Sequence, residues 1–293
     1  MIRYCGRMFL PQEVRRFLQA HHTHLSKSMG QHFLIDPHVL QCSVDTANIQ
    51  PHDHVIEIGA GIGILTRELL KRTPHVTAIE CDRRIIPLLQ EFLTQRVTLS
   101  PSKGDTSSGI MLRRAQHDTL TIVTANALKF PYPETPYKIV ANIPYQITSH
   151  LFRTVFRKNK RPPLSLTLLI QKEVAEKIMG KLERSLLTLL VELYGTPRII
   201  RTVSPRAFLP PPNVESAIIH IECFPHPLAD EKTLSVLFEL AALAFRKKRK
   251  MLRASLGKST RIADALAASG IVPTRRPETL TVEEWLSLAR ELR

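Results

Sequence analysis

The run Val55-Ile56-Glu57-Ile58, leading straight into Gly59-Ala60-Gly61-Ile62-Gly63, constrains this chain more than any other feature. A short apolar run followed by alternating glycines reads as a buried strand that turns tightly into a helix. Glycine is needed there because the backbone must bend sharply and let a ligand come close. The spacing is GxGxG, without the third position of the dinucleotide fingerprint GxGxxG. Glu80 ends the next strand, about 20 residues on, where a carboxylate can accept both hydroxyls of a ribose. A plain strand-to-helix turn with a surface Glu would use the same residues, but Glu80 at that distance weighs against it. The unit predicts an α/β fold with a pocket for a nucleotide-like cofactor.

The rest of the chain continues the alternation. Further strands are predicted at 75–79, 119–124, 138–141 and 164–170, with helices at 65–71, 84–92, 171–179 and 185–194. That order predicts a doubly wound, Rossmann-like parallel sheet. Segments 198–203 and 216–223 flank a proline-rich loop with no room for a crossover helix. The last strand of the resulting seven-stranded sheet should therefore be antiparallel. Upstream, residues 11–25 read as a basic helix with Val14, Phe17 and Leu18 on one face, and Gly30 hinges the loop that follows. Asp36 caps a helix that has Pro37 at its first position and runs to about Asn48. Pro225 and Pro227 mark a linker, after which the pattern is purely helical: 231–245, 246–256, 259–269 and 281–291, the last opened by a capping box at Thr281 and Glu284. The expected organisation is a basic N-terminal segment (1–25), an α/β domain (26–224) and a small all-helical domain (228–293). Residues 101–118 fit neither pattern and are read as a flexible inserted loop; an RNA-contacting arm through Arg113 and Arg114 is the alternative. Met8 precedes a sensible start, so residues 1–7 read as a tail or a misassigned start.

Charge narrows the partner. The chain carries 41 Lys plus Arg against 26 Asp plus Glu, a formal +15, and a polyanion explains that excess simply. A basic balance alone is weak evidence, because some basic proteins never touch nucleic acid. The cations concentrate at Arg246-Lys247-Lys248-Arg249-Lys250 and Arg253, on a predicted helix anchored by Phe245, Leu252 and Leu256. Phosphate contacts from such a face would be salt-sensitive; a merely solvated basic face is the ordinary alternative. Cys5, Cys42, Cys81 and Cys223 are scattered without metal-ligand spacing, so reduced thiols and no metal are expected. The 12 histidines, including the surface cluster His21, His22 and His24, show no ligand pairing. No apolar run approaches the ~18 residues of a membrane span and no signal core opens the chain, so a cytoplasmic protein off the membrane is expected, with nothing suggesting more than a monomer.

The chemistry is carried by Asn142-Ile143-Pro144-Tyr145, at the end of the fourth strand. An adenine amine is a poor nucleophile because its lone pair is delocalised into the ring. Two acceptors aimed at its hydrogens pull the nitrogen toward tetrahedral geometry and free that pair. The Asn142 side-chain oxygen and the Ile143 carbonyl can do this. Pro144 stiffens the turn and commits Ile143 to an extended conformation, and Tyr145 can stack on the base as flipped bases are held. A strand-ending turn with a buried Tyr is the bland alternative. Asn126 ends the third strand, where a cofactor's adenine should lie, and could accept from its amine; a turn-capping Asn is the commoner reading. Phe208, in a stiff proline-rich loop, could close the other face of the target base; an isolated Phe before prolines is more often a core plug. A methyl-donor site beside an adenine-gripping loop points to adenine methylation of RNA or DNA.

These residues resemble the ribosomal RNA adenine dimethyltransferases, most closely the branch acting on bacterial small-subunit (16S) rRNA. The marks are GQHFL (30–34), EIGAGIGILT (57–66), IE (79–80), NIPY (142–145), QKEVAEKI (171–178), FLPPPNVES (208–216) and FRKKRKMLRASL (245–256), jointly a specific set. The resemblance covers Pro11 to Leu292 apart from 101–118. It implies transfer of two methyl groups from S-adenosylmethionine to each of two adjacent adenosines, in a hairpin near the 3′ end of 16S rRNA within the small ribosomal subunit. It also implies donor contacts at His32, Leu34, Gly59, Gly61, Glu80, Asn126 and Asn142, and a base pocket of Asn142, Ile143, Tyr145 and Phe208. His32 stands where many relatives have Asn, and Asn126 where the family usually has Asp. Asn keeps an acceptor but loses the charge. A charged hydrogen bond is worth ~1.5–3 kcal/mol, so weaker donor binding with retained activity is expected. Two other readings are a large-subunit rRNA methyltransferase of the macrolide-resistance type and a non-catalytic RNA-binding assembly factor. A small-molecule methyltransferase fits the charge poorly.

Overall fold

The computed structural model describes residues 10–21, 32–94, 100–101, 110–113, 119–159, 161–181, 183–247, 250–257 and 259–293. In chain order these form α1 (Leu10–Ala20), β1 (Phe33–Leu34), α2 (Pro37–Thr46), β2 (Val55–Ile58), α3 (Ile64–Leu69), β3 (His75–Glu80), α4 (Ile86–Thr94), β4 (Ser100–Pro101), β5 (Ile110–Arg113), β6 (Thr119–Thr124), β7 (Lys138–Asn142), α5 (Thr148–Arg153), β8 (Ser165–Gln171), α6 (Lys172–Ile178), α7 (Leu186–Tyr194), β9 (Gly195–Val203), β10 (Phe208–Leu209), β11 (Ser216–Cys223), α8 (Glu231–Arg246), α9 (Leu252–Ser255), α10 (Thr260–Ala268) and α11 (Val282–Glu291).

The sheet order is β4-β5-β6-β3-β2-β7-β8-β11-β9. β6, β3, β2, β7 and β8 are mutually parallel; the chain crosses between successive strands through α3, α4 and α5, and from β6 to β7 through the irregular segment 125–137. β9 and β11 are neighbours joined only by residues 204–215, without a crossover helix, which makes β11 the antiparallel strand. The seven strands from β6 to β9 are those the alternation predicts. Within the segment 101–118, read as an inserted loop, residues 101 and 110–113 are in strands, while 102–109 and 114–118 lie outside the described residues. β5 lies antiparallel on β6, with Ile110 opposite Ile122 and Arg113 opposite Thr119, and β4 pairs with β5. An open β6 edge would leave a row of backbone donors and acceptors unpaired, and β5 satisfies them. Arg114 lies outside the described residues.

Strands buried on both faces read as nearly unbroken apolar runs, and β2 is buried at every position. Val76 and Ala78 of β3 and Leu120 and Ile122 of β6 share a core with α1 to α4. α1 brings Val14, Phe17 and Leu18 to it, and Phe17 meets Phe92 edge-on at 5.1 Å. Asp36 caps α2 by accepting from the His38 and Val39 N–H groups at 2.8 and 3.2 Å, with Pro37 at the first helical position. β1 pairs with β10 as a separate two-stranded ribbon, Phe33 opposite Leu209 and Leu34 opposite Phe208.

The chain divides into two compact units, Met1–Lys172 with Ile199–His220, and Glu173–Arg198 with Ile221–Arg293. The second unit holds α7 to α11 around Trp285, which is 1 % exposed and lies 5.9 Å from the Phe245 ring. Thr281 and Glu284 form the predicted capping box on α11. The basic run is not one helix. α8 ends at Arg246, Lys247 leaves helical geometry at φ −116°, ψ 53°, and α9 begins at Leu252. A continuous helix would set like charges three and four residues apart on one face. The Leu252 and Arg253 N–H groups instead donate to the Arg275 and Pro273 carbonyls at 2.8 and 3.1 Å, burying Leu252. Arg246, Lys247, Lys250 and Arg253 are exposed; Lys248 and Arg249 lie outside the described residues.

The glycine turn yields a stability prediction. Gly61 has φ +56°, and a Cβ there would sit 2.7 Å from Phe33 Cε1; Gly59 has φ +72°, but a Cβ would meet Pro144 Cδ at an ordinary 3.4 Å. Gly59→Ala should cost about 1–2 kcal/mol of backbone strain. Gly61→Ala should add about 1–3 kcal/mol of overpacking to that. Equal losses by chemical denaturation would contradict this ranking.

Candidate functional site

β2 ends in the glycine turn, where the Gly59 N–H donates to the Ile79 carbonyl at 2.8 Å. Glu80, the last residue of β3, is 8 % exposed. One of its carboxylate oxygens accepts from the Gly61 N–H at 2.9 Å, and the other from the Cys81 and Asp82 N–H groups at 2.8 and 2.9 Å. Three backbone donors thus fix the carboxylate in orientation. An ionised carboxylate has about four acceptor sites, so with three filled one remains, on the oxygen that Gly61 holds, for a ribose hydroxyl. Behind the turn lies Glu57, 1 % exposed, accepting from the Thr66 hydroxyl at 2.5 Å. Burial pushes its carboxyl up to about 8, with the Thr66 hydrogen bond opposing and the Glu80 charge adding to the rise.

The opposite wall is the end of β7. Asn142 donates its side-chain amide hydrogen to the His32 carbonyl at 2.9 Å. That bond commits the donor half of the amide and leaves its oxygen as the available acceptor. The Ile143 N–H donates to the Leu169 carbonyl at 3.2 Å, tying the loop to β8. Pro144, at φ −54°, packs its ring against Gly59. Tyr145 opens the 3-10 turn Tyr145–Ile147 and is half-buried. Its hydroxyl shares a hydrogen bond with that of Ser216 at 2.7 Å. His32 lies nearly parallel to the Tyr145 ring, with centroids 6.0 Å apart and planes at 22°. The His32 ring nitrogen Nδ1 is 2.8 Å from the Pro210 carbonyl, which makes it the donor.

These walls enclose one cavity of about 370 Å³, a volume suited to a small-molecule cofactor. His32, Gly59, Gly61, Glu80, Asn126, Asn142, Ile143, Pro144 and Tyr145 all line it. Asn126 lines the cavity, and its side-chain oxygen accepts from the Leu128 N–H at 2.9 Å, the turn-capping arrangement. Leu34 and Phe208 are not brought to the cavity. They face each other across the β1–β10 pair and are 5 % and 2 % exposed within the core. Pairing two short segments into a ribbon buries both side chains, so Phe208 plugs the core here. Phe33, Cys81 and Gln146 also line the cavity, beyond the residues the sequence points to. Phe33 and Cys81 each sit one residue from a predicted site residue, the only signal the sequence holds for them.

A nucleotide cofactor fits these residues: a carboxylate held by backbone donors, and cavity-lining glycines whose positive φ makes the tight turn. The sheet order, with this cavity at the carboxyl ends of β2, β3, β6 and β7, defines an α/β methyltransferase. The chain matches the ribosomal RNA adenine dimethylase family over residues 22–293 and belongs to it, and it is an rRNA adenine dimethyltransferase. It is similar to the ribosomal RNA small subunit methyltransferase A of Alkaliphilus oremlandii, with 33% identity over 98% of each chain. With that of Dehalococcoides mccartyi strain CBDB1 it shares 37% identity over 96% of this chain and 93% of the relative. Among solved structures it resembles the 23S rRNA methyltransferase ErmE, at 28% identity and a TM-score of 0.67 over 89% of this chain and 99% of that one. A dimethyladenosine transferase from Plasmodium falciparum shares the fold, with 23% identity and a TM-score of 0.69 over 88% and 96%.

Glu57 makes stability depend on pH. Its folded value lies above the unfolded one, near 4.5, so the native state holds the extra proton between about pH 4.5 and 8. The stabilisation is fully present below that window and is lost as pH rises through it, by up to about 1.4 kcal/mol per unit. Glu57→Gln should flatten the dependence in urea unfolding between pH 5 and 8. A variant as pH-sensitive as the wild type would refute the assignment.

Proposed function

We propose that this chain dimethylates two adjacent adenosines at their exocyclic amines, in a hairpin near the 3′ end of 16S rRNA. S-adenosylmethionine is the donor and the small ribosomal subunit the partner. The observation that carries the reading is the amide of Asn142, anchored through its nitrogen so that its oxygen remains for an amine. Bound S-adenosylmethionine supplies an electrophilic methyl group. Glu80 would hold its ribose, Gly59 and Gly61 would let it approach the backbone, and His32 and Asn126 would flank it. On the acceptor side, the Asn142 oxygen and the Ile143 carbonyl take the two amine hydrogens, which frees the nitrogen lone pair toward the methyl group. Tyr145 stacks on the base and stays a neutral phenol, since burial raises its titration. The released proton leaves after transfer, so no general base is needed.

The exposed cations Arg246, Lys247, Lys250 and Arg253, in sequence with Lys248 and Arg249, supply phosphate contacts. Relatives named for the small subunit at 33–37% identity favour 16S over 23S RNA as substrate. The enzyme would act as a cytoplasmic monomer.

The test is transfer of labelled methyl from S-adenosylmethionine to undermethylated small subunits, with large subunits as control. Label on 16S rRNA only, lost in Asn142→Ala, is expected; label on 23S rRNA alone, or tight subunit binding without label, would overturn the proposal. Tyr145→Ala should cut the transfer rate at least about tenfold while leaving subunit affinity nearly unchanged, because base and phosphates are held by different residues. Replacing Arg246, Lys247, Lys250 and Arg253 by Gln should do the reverse. It should weaken binding and flatten its salt dependence by about 0.7–0.9 in log–log slope for each phosphate no longer neutralised. An unchanged slope would remove that surface from the interface.

A further inference from the structure

We propose that Ser216 is a positioning residue for methyl transfer, holding the Tyr145 ring through its phenol at the angle on which the target base stacks. The proposal rests on the adenine-methylating reading above. Ser216 opens β11, is fully buried, and shares a 2.7 Å hydrogen bond with the Tyr145 hydroxyl. It does not line the cavity, so any effect on the reaction passes through Tyr145.

The need for such a tether follows from how Tyr145 is held elsewhere. Its backbone is fixed: its carbonyl accepts from the Thr148 hydroxyl at 3.1 Å, and the Ile147 N–H closes the turn on Pro144 at 3.1 Å. Backbone bonds place the Cα but leave two side-chain torsions, and a half-buried ring can swing about both. A stacking surface loses its value when its plane rotates. A hydrogen bond at the far end of the ring removes that freedom. The other partner must itself be rigid, and Ser216 is. The preceding residue, Glu215, is locked to the start of α6, its carbonyl accepting from the Lys172 N–H at 3.0 Å and its carboxylate pairing with Lys172 Nζ at 2.8 Å. The proline-rich segment therefore grips both rings of the site: Pro210 holds His32 and Ser216 holds Tyr145.

The experiment is a double-mutant cycle on the full chain with Ser216→Ala, Tyr145→Phe and both together, measured in single-turnover methylation of small subunits. Each single variant should lower the transfer rate by about three- to tenfold, the worth of one hydrogen bond, with subunit affinity unchanged. The double variant should be no slower than either, because both delete the same bond. Wild-type rates in Ser216→Ala, or losses that multiply in the double variant, would overturn the proposal. A second readout is independent of activity. In protein carrying ring-labelled tyrosine, the Tyr145 resonance should titrate higher in Ser216→Ala than in wild type, since the Ser216 hydrogen bond offsets part of the upward push of burial. An unmoved Tyr145 titration sinks the tether even if methylation fails. A wild type that transfers no methyl sinks instead the functional reading.

Discussion

The site depends on one close approach. A Cβ on Gly59 would lie 3.4 Å from Pro144 Cδ and 3.7 Å from the Asn142 carbonyl, so the glycine turn and the Asn-Ile-Pro-Tyr loop are built against each other. β2 and β7 are parallel neighbours, and their carboxyl ends deliver the two turns side by side. A Cβ at Gly59 would just fill the space between the turns, while its φ of +72° is the conformation that requires glycine. The sheet thus sets how near a methyl donor can lie to the base that receives it.

Around that approach, the structure uses hydrogen bonds to decide which atoms face the ligand. Glu80 accepts three backbone N–H groups and cannot rotate away from the turn. Asn142 commits its donor half to His32 and leaves its acceptor half. Both groups are set before any ligand arrives, which is where preorganised electrostatics gains over solvent. Glu57 shows the other side of such construction: a carboxyl buried behind the turn is held neutral by its surroundings over much of the acid range.

Much of this was legible in the sequence, and the exceptions have physical causes. Strands buried on both faces announce themselves as apolar runs, and the predicted limits of 119–124 and 216–223 coincide with β6 and β11. The glycines, Glu80 and Asn142 were readable because each is a residue type that the turn or the chemistry requires. The β1–β10 ribbon was not, because two residues pairing with two others far along the chain leave no periodicity to detect. Phe208 reads the same in sequence whether its loop turns it inward or outward, and the ribbon turns it into the core. β4 and β5, of two and four residues, are too short to show alternation. Lys and Arg are good helix formers, which is why the run from Arg246 reads as a helix. Pinning Leu252 and Arg253 to the 273–275 segment overrides that propensity.

The central claim is that this cavity presents the exocyclic amine of adenine, and the chemical identity of the product tests it most directly. Small-subunit rRNA methylated by the enzyme should be digested to nucleosides and resolved by mass spectrometry against authentic standards. The account predicts N6,N6-dimethyladenosine as the end product, with the monomethylated amine as its precursor. Methylation at a ring nitrogen or at a ribose hydroxyl would contradict it, because neither atom meets the acceptors at Asn142 and Ile143.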